Sequence, residues 1–253
     1  MAAATRDIMG GLAKGLMAIE TFTAERPRQS IAEVAASSGL DRATARRCLL
    51  TLSELGYADY DGKYFTLTPR ILRLGTACLA TMPLPQMVQP LLDDLSDQLG
   101  ESSSVSILDG HEIVYVARAA QRKVMSIALM PGSRLPAFCT SMGRVLLAAL
   151  PDSEARSRLE AAPLVKRTSH TCVDLEALSL GLAHVREQGF ALIDQEVELG
   201  LRSIAIPLHN ARGSVVAALN IGLGATQAGI DELPRLYLPA LRLVQAELRT
   251  VLR

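Results

Sequence analysis

Apolar residues in the N-terminal part of the chain recur at helical spacing in two consecutive segments. Residues 8–22 predict an amphipathic helix. Its apolar stripe would consist of Leu12, Leu16, Ile19 and Phe22. Residues 30–36 predict a second helix, because Ser30 and Glu33 form a capping box in which each side chain satisfies a free amide of the first turn. Gly39 supplies the left-handed residue that ends this helix.

A third helix follows, and Asp41 is a suitable N-cap for it because a negative charge is favourable at the positive end of the helix dipole. One face of the helix would be buried and carries Ala45, Cys48, Leu49, Leu52 and Leu55. The other face would point outward and carries Arg42, Ala43, Arg46, Arg47 and Leu50. The dipeptide Asp61-Gly62 then separates two strand-like runs, 57–60 and 63–67, which is a strong hairpin signal. Residues 1–68 thus predict three helices followed by a two-stranded wing.

A short segment, 69–86, connects this first domain to the rest of the chain. Pro69 suits the first turn of a helix, where its missing amide costs nothing. The apolar stripe of that helix would be Ile71, Leu72, Leu74, Cys78 and Leu79. The sequence Met-Pro-Leu-Pro at 82–85 cannot continue a helix, so we expect a linker with a hinge there.

Residues 87–253 mix helical and strand-like patterns. Helices are predicted at 88–99, 141–150, 175–188 and 233–252. Strands are predicted at 104–108, 112–117, 124–130, 190–193, 203–208 and 215–221, the first two joined by Asp109-Gly110. Helices that flank an antiparallel sheet predict an α+β domain.

The composition excludes several classes of protein but does not by itself indicate a function. The 253 residues carry 26 basic and 26 acidic side chains, with 49% apolar and 21% charged residues, which indicates a globular chain and excludes a disordered or strongly basic one. Aromatic residues are 4% with no Trp, which argues against stacking platforms for single strands. No apolar stretch predicts a membrane span or a signal peptide. Four widely spaced cysteines form no ligand pattern, so we expect reduced thiols in a cytoplasmic protein, with no metal and no cofactor.

The first domain has a local basic surface that the overall balance conceals. Two helices joined by a tight turn and followed by a hairpin are typical of a winged helix-turn-helix, whose second helix can enter the DNA major groove. Five arginines against Glu33 and Asp41 give residues 26–51 a net charge of +3. The candidate contacts to double-stranded DNA are Arg28, Ser30, Arg42, Ala43, Thr44, Arg46, Arg47 and Lys63. A solvated basic face on an interaction domain is the alternative; the wing favours DNA binding.

The sequence resembles the IclR family of bacterial transcriptional regulators over nearly its whole length. The resemblance rests on GLAKGLMAIETF, IAEVAASSGLDRATARRCLLTLSELGYA, YFTLTPRILRLG, RLPAFCTSMGRVLLAAL and EQGFALIDQEVELGLRSIAIPL. The stretch ARRCLLTLSELGY is most similar to the subgroup that senses aromatic acids such as protocatechuate or 4-hydroxybenzoate. The resemblance implies a GAF-like C-terminal domain that binds a small aromatic or short-chain carboxylate effector. It also implies a homodimer or homotetramer on the operator.

The same resemblance implies where the effector binds. The corresponding polar positions are Ser141 and Met142 at a helix start, Ser203, Asn220 and Gly222, and the apolar wall corresponds to Val124, Ile127, Leu135 and Leu201. Independently of the family, a helix N-terminus favours an anion, and a few polar groups on an apolar wall can orient a ligand. The alternative is that Ser141 only caps its helix while Ser203 and Asn220 bond to local backbone.

One position departs from the family pattern, and some residues would also suit other functions. The acidic pair expected near the pocket is Ile193-Asp194 here, and an apolar Ile193 would suit a larger aromatic ligand. Arg134 could pair with a ligand carboxylate, and a surface arginine without that role is the alternative. Cys139 with His170 could suggest a hydrolase, but no orienting third group is visible. A small-molecule sensor that does not bind DNA is the other alternative to a regulator.

Overall fold

The structure, a computed structural model, describes residues 8–23, 25–121, 129–249 and 251–252. It divides the chain into two compact units, 1–80 and 81–253. Among the described residues, no helix combines the length and the apolar character that a membrane span needs.

The N-terminal unit is a helical domain with a small sheet. Its helices are α1 (Gly10–Glu20), α2 (Ile31–Ser38), α3 (Arg42–Glu54) and α4 (Leu72–Thr81), the last preceded by a 3-10 turn at Pro69–Ile71. Its strands are β1 (Arg28–Gln29), β2 (Ala58–Tyr60) and β3 (Phe65–Leu67). They form an antiparallel sheet in the order β1-β3-β2. The wing predicted with two strands therefore has a third, because the extended chain at Arg28 pairs with Thr66.

The core of this unit lies between helices α1, α2 and α3 and the sheet. It is formed by Ala18, Val34, Ala35, Ala45, Leu49, Leu52, Ala58 and Phe65. Three residues predicted to be buried are exposed instead: Leu12 by 61%, Leu16 by 46% and Leu55 by 53%. The cause is geometric, since within α1 only Ala18 is buried while Leu12, Leu16 and Leu55 line an open apolar groove between α1 and α3.

The C-terminal unit is an antiparallel sheet covered by helices on both faces. The strands are β4 (Ser102–Asp109), β5 (Glu112–Ala119), β6 (Arg134–Pro136), β7 (Ala191–Asp194), β8 (Leu201–His209) and β9 (Val215–Gly224), in the order β6-β5-β4-β9-β8-β7. The helices are α5 (Pro83–Leu99), α6 (Ser141–Ala148), α7 (Asp152–Ala161), α8 (Leu175–Gln188) and α9 (Leu233–Arg249). The α+β class predicted from the sequence is confirmed for both units.

Side-chain alternation along the strands decides which face can hold a site. In β8, Ile204, Ile206 and Leu208 point to the face packed by α5 and α9. Ala205 points to the opposite face, where it packs with residues of α6, α7 and α8. On this second face the central strands carry small or polar residues, so the helix above them leaves space that large side chains would fill.

Several predicted boundaries differ from the structure. The linker predicted at 82–85 is confined to Met82, because α5 begins at Pro83 and its first turn needs no amide from Pro83 or Pro85. Helix α7 was not predicted, since only Ala155 and Leu159 are buried and its apolar pattern is correspondingly weak. The strand predicted at 124–130 lies mostly outside the described residues, and Leu129 and Met130 belong to no strand.

Candidate functional sites

The exposed face of α3 presents a compact group of arginines. Arg42, Arg46 and Arg47 are exposed, as is Ala43, and the turn before the helix is formed by Gly39 with φ +71°. Asp41 caps α3 by accepting a hydrogen bond from the Thr44 amide at 2.9 Å. The hydrogen bonds from Thr44, first from its side chain and then from its amide, lower the pKa of Asp41. The helix N-terminus is thus held in one orientation with its arginines facing outward.

Thr44 does not belong to this outward face. Its residue is only 6% exposed, which corrects the expectation that it lies beside the arginines. The reason is its position two residues before Arg46 and one before the core residue Ala45, which turns it toward α1. Its hydroxyl accepts a hydrogen bond from Arg47 Nη2 at 3.3 Å. Thr44 therefore orients an arginine instead of presenting its own side chain.

Three further residues proposed for DNA contact lie in or beside the wing. Arg28 is paired with Asp61, to which its Nε donates at 3.2 Å, and its guanidinium lies 4.3 Å from the centroid of the Tyr64 ring. The Tyr64 amide and then Arg28 lower the pKa of Asp61 to about 2. Ser30 caps α2, and its hydroxyl donates to Glu33 Oε2 at 2.6 Å. Lys63 is exposed in the wing turn. Arg28 and Ser30 thus already have structural roles.

A second site lies in the C-terminal unit, between the sheet and the N-terminus of α6. It is a cavity of about 30 Å³ lined by Tyr115, Arg118, Leu129, Leu135, Thr140, Ser141, Met142, Val197, Leu201, Ser203, Asn220 and Gly222. A hollow of about 220 Å³ lies next to it and shares Leu201 and Gly222 with it. An apolar cavity of about 150 Å³ suffices for a benzene ring. A ring could therefore enter the smaller cavity only if lining side chains such as Leu201 moved.

A row of polar residues crosses the sheet at the base of this cavity. Ser104 of β4 pairs with Arg118 of β5 on one side and with Asn220 of β9 on the other. Directly paired residues point to the same face of a sheet. Arg118 Nη1 donates to Ser104 Oγ at 2.9 Å, and burial lowers the pKa of Arg118. Among the described lining residues, Arg118 is therefore the one cationic group on an otherwise mostly apolar wall.

Asn220 adds an unused acceptor to this row. Its residue is 8% exposed, and its Oδ1 has no hydrogen-bond partner among the described residues. A buried acceptor without a partner costs free energy, so a ligand donor placed there is favoured. Ser203 lies on the neighbouring strand and is equally buried.

The start of α6 forms the opposite wall. Thr140 is the N-cap, because its hydroxyl accepts from the Gly143 amide at 3.1 Å, so Ser141 is the first helical residue and not the cap. The amides of Ser141 and Met142 belong to the first turn, which has no intrahelical partners for its amides. Gly143 permits a close approach, since a Cβ there would lie 2.1 Å from the Ala137 carbonyl oxygen.

Most, but not all, of the residues proposed for the effector line this cavity. Those that do are Leu135, Ser141, Met142, Leu201, Ser203, Asn220 and Gly222. Val124 and Ile127 lie outside the described residues. Arg134 does not line the cavity, because its guanidinium is paired with Asp109 at 2.8 Å and Glu112 at 2.7 Å. Ile193 is buried but is not among the lining residues, since it lies on the edge strand β7.

Sequence reasoning missed several lining residues, above all Arg118 and Tyr115. The predicted strand ended at residue 117, one position short of Arg118, although an arginine that continues a buried strand was a usable signal. Burial raises the pKa of Tyr115 to about 12, so its hydroxyl stays protonated. The missed residues that complete the lining are Leu129, Thr140 and Val197.

The suggestion of a nucleophilic cysteine fits the structure poorly. Cys139 is buried, and that burial raises the pKa of its thiol to about 11, whereas a reactive cysteine needs a lowered pKa. His170 is exposed. Within the described part of the chain, no group of three or more His, Cys, Asp or Glu side chains could hold a metal ion.

Comparison with known proteins decides the family. A family model for the IclR helix-turn-helix domain matches residues 11–62, and one for the C-terminal part of bacterial transcriptional regulators of the IclR type matches residues 76–245. The chain belongs to the IclR family. It is a DNA-binding transcriptional regulator with a separate C-terminal domain.

Relatives of this IclR family member include regulators of aromatic catabolism. The Pca regulon regulatory protein of Pseudomonas putida is 44% identical over 93% of this chain and 81% of its own length. The p-hydroxybenzoate hydroxylase transcriptional activator of Acinetobacter baylyi is 38% identical over 98% of this chain and 93% of its own length. A double mutant of the PobR inducer-binding domain from Acinetobacter, solved with 3-hydroxybenzoic acid, is 34% identical, with a TM-score of 0.63, and covers 66% of this chain and 98% of that one.

Proposed function

We propose that this IclR family regulator responds to an aromatic carboxylate that binds in the cavity between the sheet and α6. The observation that carries the proposal is Arg118, a cation that lines a mostly apolar cavity and stands in one row with Ser104 and Asn220. The similarity to the Pca regulon regulatory protein and to the p-hydroxybenzoate hydroxylase transcriptional activator supports the same ligand class. The binding of 3-hydroxybenzoic acid by the PobR domain supports it further.

The carboxylate is assigned to the polar groups at the two walls. The charge of Arg118 favours a carboxylate beside it, since hydrogen bonds between charged groups are stronger than those between neutral ones. The first-turn amides of α6 present a partial positive charge toward the same space. Because most of the lining residues are buried, either contact is stronger than it would be on the surface.

The ring and any ring hydroxyl are assigned to the remaining lining. Leu135, Met142 and Leu201 supply apolar contacts, and a thioether packs well against an aromatic ring. The unpartnered Asn220 Oδ1 can accept a hydrogen bond from a phenolic hydroxyl. A hydroxylated benzoate is therefore expected to bind more tightly than benzoate itself, since only the former supplies that donor.

Effector binding changes operator affinity if the two conformations of the protein bind the ligand differently. The DNA contacts proposed are Arg42, Ala43, Arg46 and Arg47 on α3 together with Lys63 in the wing, with Arg28 at its edge. We propose a symmetric homodimer or homotetramer in the cytoplasm, because two-fold oligomers read paired half-sites.

Calorimetry tests the effector site directly. The full chain is titrated with benzoate, 4-hydroxybenzoate and 3,4-dihydroxybenzoate. We expect Arg118→Met to lose most of the affinity, and Arg118→Lys to retain part of it because the charge remains. Ser203→Ala should weaken binding less, since it removes one neutral hydroxyl. Absence of binding by all three acids, or an unchanged affinity in both Arg118→Met and Ser203→Ala, would remove the ligand from this cavity.

A further inference from the structure

A buried ion pair connects two structural pieces that both line the cavity, helix α6 and the loop before β8. Arg144 lies on α6, two residues after Met142, and Glu196 lies in the loop between β7 and β8, one residue before Val197. Arg144 Nη2 contacts Glu196 Oε1 at 2.7 Å and Oε2 at 2.8 Å. The two side chains are only 16% and 10% exposed. Neither residue lines the cavity itself.

Both partners are also fixed to their surroundings. Arg144 Nε donates to the Phe138 carbonyl oxygen at 2.9 Å, which holds the turn before α6. Glu196 Oε2 accepts a hydrogen bond from the Cys172 amide at 3.0 Å. The remaining lone pairs and donors of the pair are therefore largely used, which is the condition under which a buried ion pair is well defined in geometry.

The loop that carries Glu196 is held in an unusual conformation. Gln195 has φ +59°, a left-handed value that a non-glycine residue keeps only when its neighbours enforce it. Three successive carbonyl oxygens accept side-chain hydrogen bonds from the segment 167–171: Gln195 from Thr168 at 2.7 Å, Glu196 from Thr171 at 2.7 Å and Val197 from Arg167 at 3.2 Å. The loop is thus fastened to that segment by its backbone and to α6 by the Glu196 carboxylate.

We propose that Arg144 and Glu196 are positioning residues, which hold the N-terminus of α6 and the loop 195–200 together as one unit around the effector cavity. This inference rests on the proposed function for its effect on binding. Without the pair, the start of α6 with Ser141 and Met142 would no longer be held in a fixed position relative to the segment with Val197 and Leu201. An effector that contacts both segments would then have to order them when it binds, and its affinity would fall.

The test compares Glu196→Gln, Arg144→Lys and the double variant with a control arginine on α8 that contacts the other end of α6. Arg186 is a suitable control, because it donates to the Ala148 carbonyl oxygen at 2.7 Å and so holds the C-terminal end of α6, away from the cavity. Arg186→Lys removes the same kind of bidentate side chain. It should leave effector affinity unchanged and should lower thermal stability less than Glu196→Gln does, because the Arg186 side chain is 42% exposed.

Calorimetry with 4-hydroxybenzoate is the first readout. Each single variant should raise Kd by roughly 3- to 30-fold. The Kd of the double variant should not exceed the higher Kd of the two single variants, because both substitutions remove the same interaction. Arg144→Lys serves as the milder variant if Glu196→Gln lowers the yield of folded protein. Unchanged Kd values in variants whose Tm falls at least as much as that of Arg186→Lys would reduce the pair to a purely structural role and overturn the proposal.

Hydrogen exchange without ligand is the second readout and does not depend on the choice of effector. Glu196→Gln should speed exchange in residues 138–144 and 195–201 together and leave α5 unchanged. Faster exchange confined to the loop would overturn the proposal, since the walls would then not be coupled. If the wild-type chain binds none of the acids, the proposed effector class fails, and hydrogen exchange still decides whether the pair couples the walls.

Discussion

At the scale of single residues, the tightest steric constraint lies at Gly143 beside the cavity. A Cβ there would meet the Ala137 carbonyl oxygen at 2.1 Å and Thr140 Oγ1 at 2.5 Å, and the nearest of these is backbone that cannot move aside cheaply. We expect Gly143→Ala to destabilise the C-terminal unit by about 1–3 kcal/mol or more, as overpacking does in a dense core. Denaturant unfolding of the full chain measures this.

Gly181 provides the matched control for that substitution. It lies inside α8, and a Cβ there would have no heavy atom within 4 Å. Gly181→Ala should therefore stabilise the protein by roughly 0.5–1 kcal/mol, since alanine loses less backbone entropy in a helix. Equal effects of the two substitutions would contradict the steric account of Gly143.

His209 makes the stability of the C-terminal unit depend on pH. Burial first, and the charge of Arg249 second, lower the pKa of His209 from its ordinary value of 6.5. Below that value the unfolded chain takes up a proton more readily than the folded one, so stability is lost as the pH falls through about 6.5. His209→Gln should show a smaller loss of Tm between about pH 7.5 and pH 5.5 than the wild type. An identical loss would show that His209 does not contribute.

At the scale of secondary-structure elements, the helices were more predictable than the sheet edges. Capping residues such as Ser30, Asp41 and Gly39 act locally, so their sequence pattern is sufficient to place α2 and α3. Strands β1 and β6 have two and three residues, and pairing with a distant strand creates them. The local sequence does not specify that pairing, so neither β1 nor β6 could be predicted from it.

The residues of the candidate sites also differ in how well the sequence predicts them. Ser141, Ser203 and Asn220 could be proposed from family motifs, whereas the place of Arg118 in the site follows from the sheet, where β4 puts Ser104 between it and Asn220. Leu55 was misplaced because a helical wheel assumes a partner on every apolar face, whereas Thr44 is buried because it points toward α1. In this chain α1 covers only part of α3.

The outward face of α3 carries the prediction that belongs to this scale. Arg46 is exposed in the middle of that face, and Arg46→Ala should weaken operator binding by about 1–3 kcal/mol if it contacts a base. Fluorescence anisotropy with DNA from upstream of the gene measures the change. Arg242→Ala removes an equal charge from an exposed position on α9 and serves as the control. Equal affinities for the Arg46 and Arg242 variants would remove Arg46 from the interface.

At the scale of the whole molecule, the chain combines two units with different charge and chemistry. The overall formal charge is zero, yet the first unit exposes three arginines on one short helix and the second places Arg118 in the lining of a mostly apolar cavity. A small sensor domain and a DNA-binding domain within one chain allow a ligand to act on DNA affinity through a shared conformational equilibrium.

The central claim is that an aromatic acid bound beside Arg118 alters operator binding by the N-terminal unit. It is tested most directly by measuring operator affinity with and without saturating 4-hydroxybenzoate, in the wild type and in Arg118→Met. The account predicts that the acid changes the wild-type Kd for DNA by roughly 5- to 150-fold. Arg118→Met should keep the ligand-free Kd and lose the response. Equal operator affinity with and without the acid, or a full response in Arg118→Met, would contradict the account.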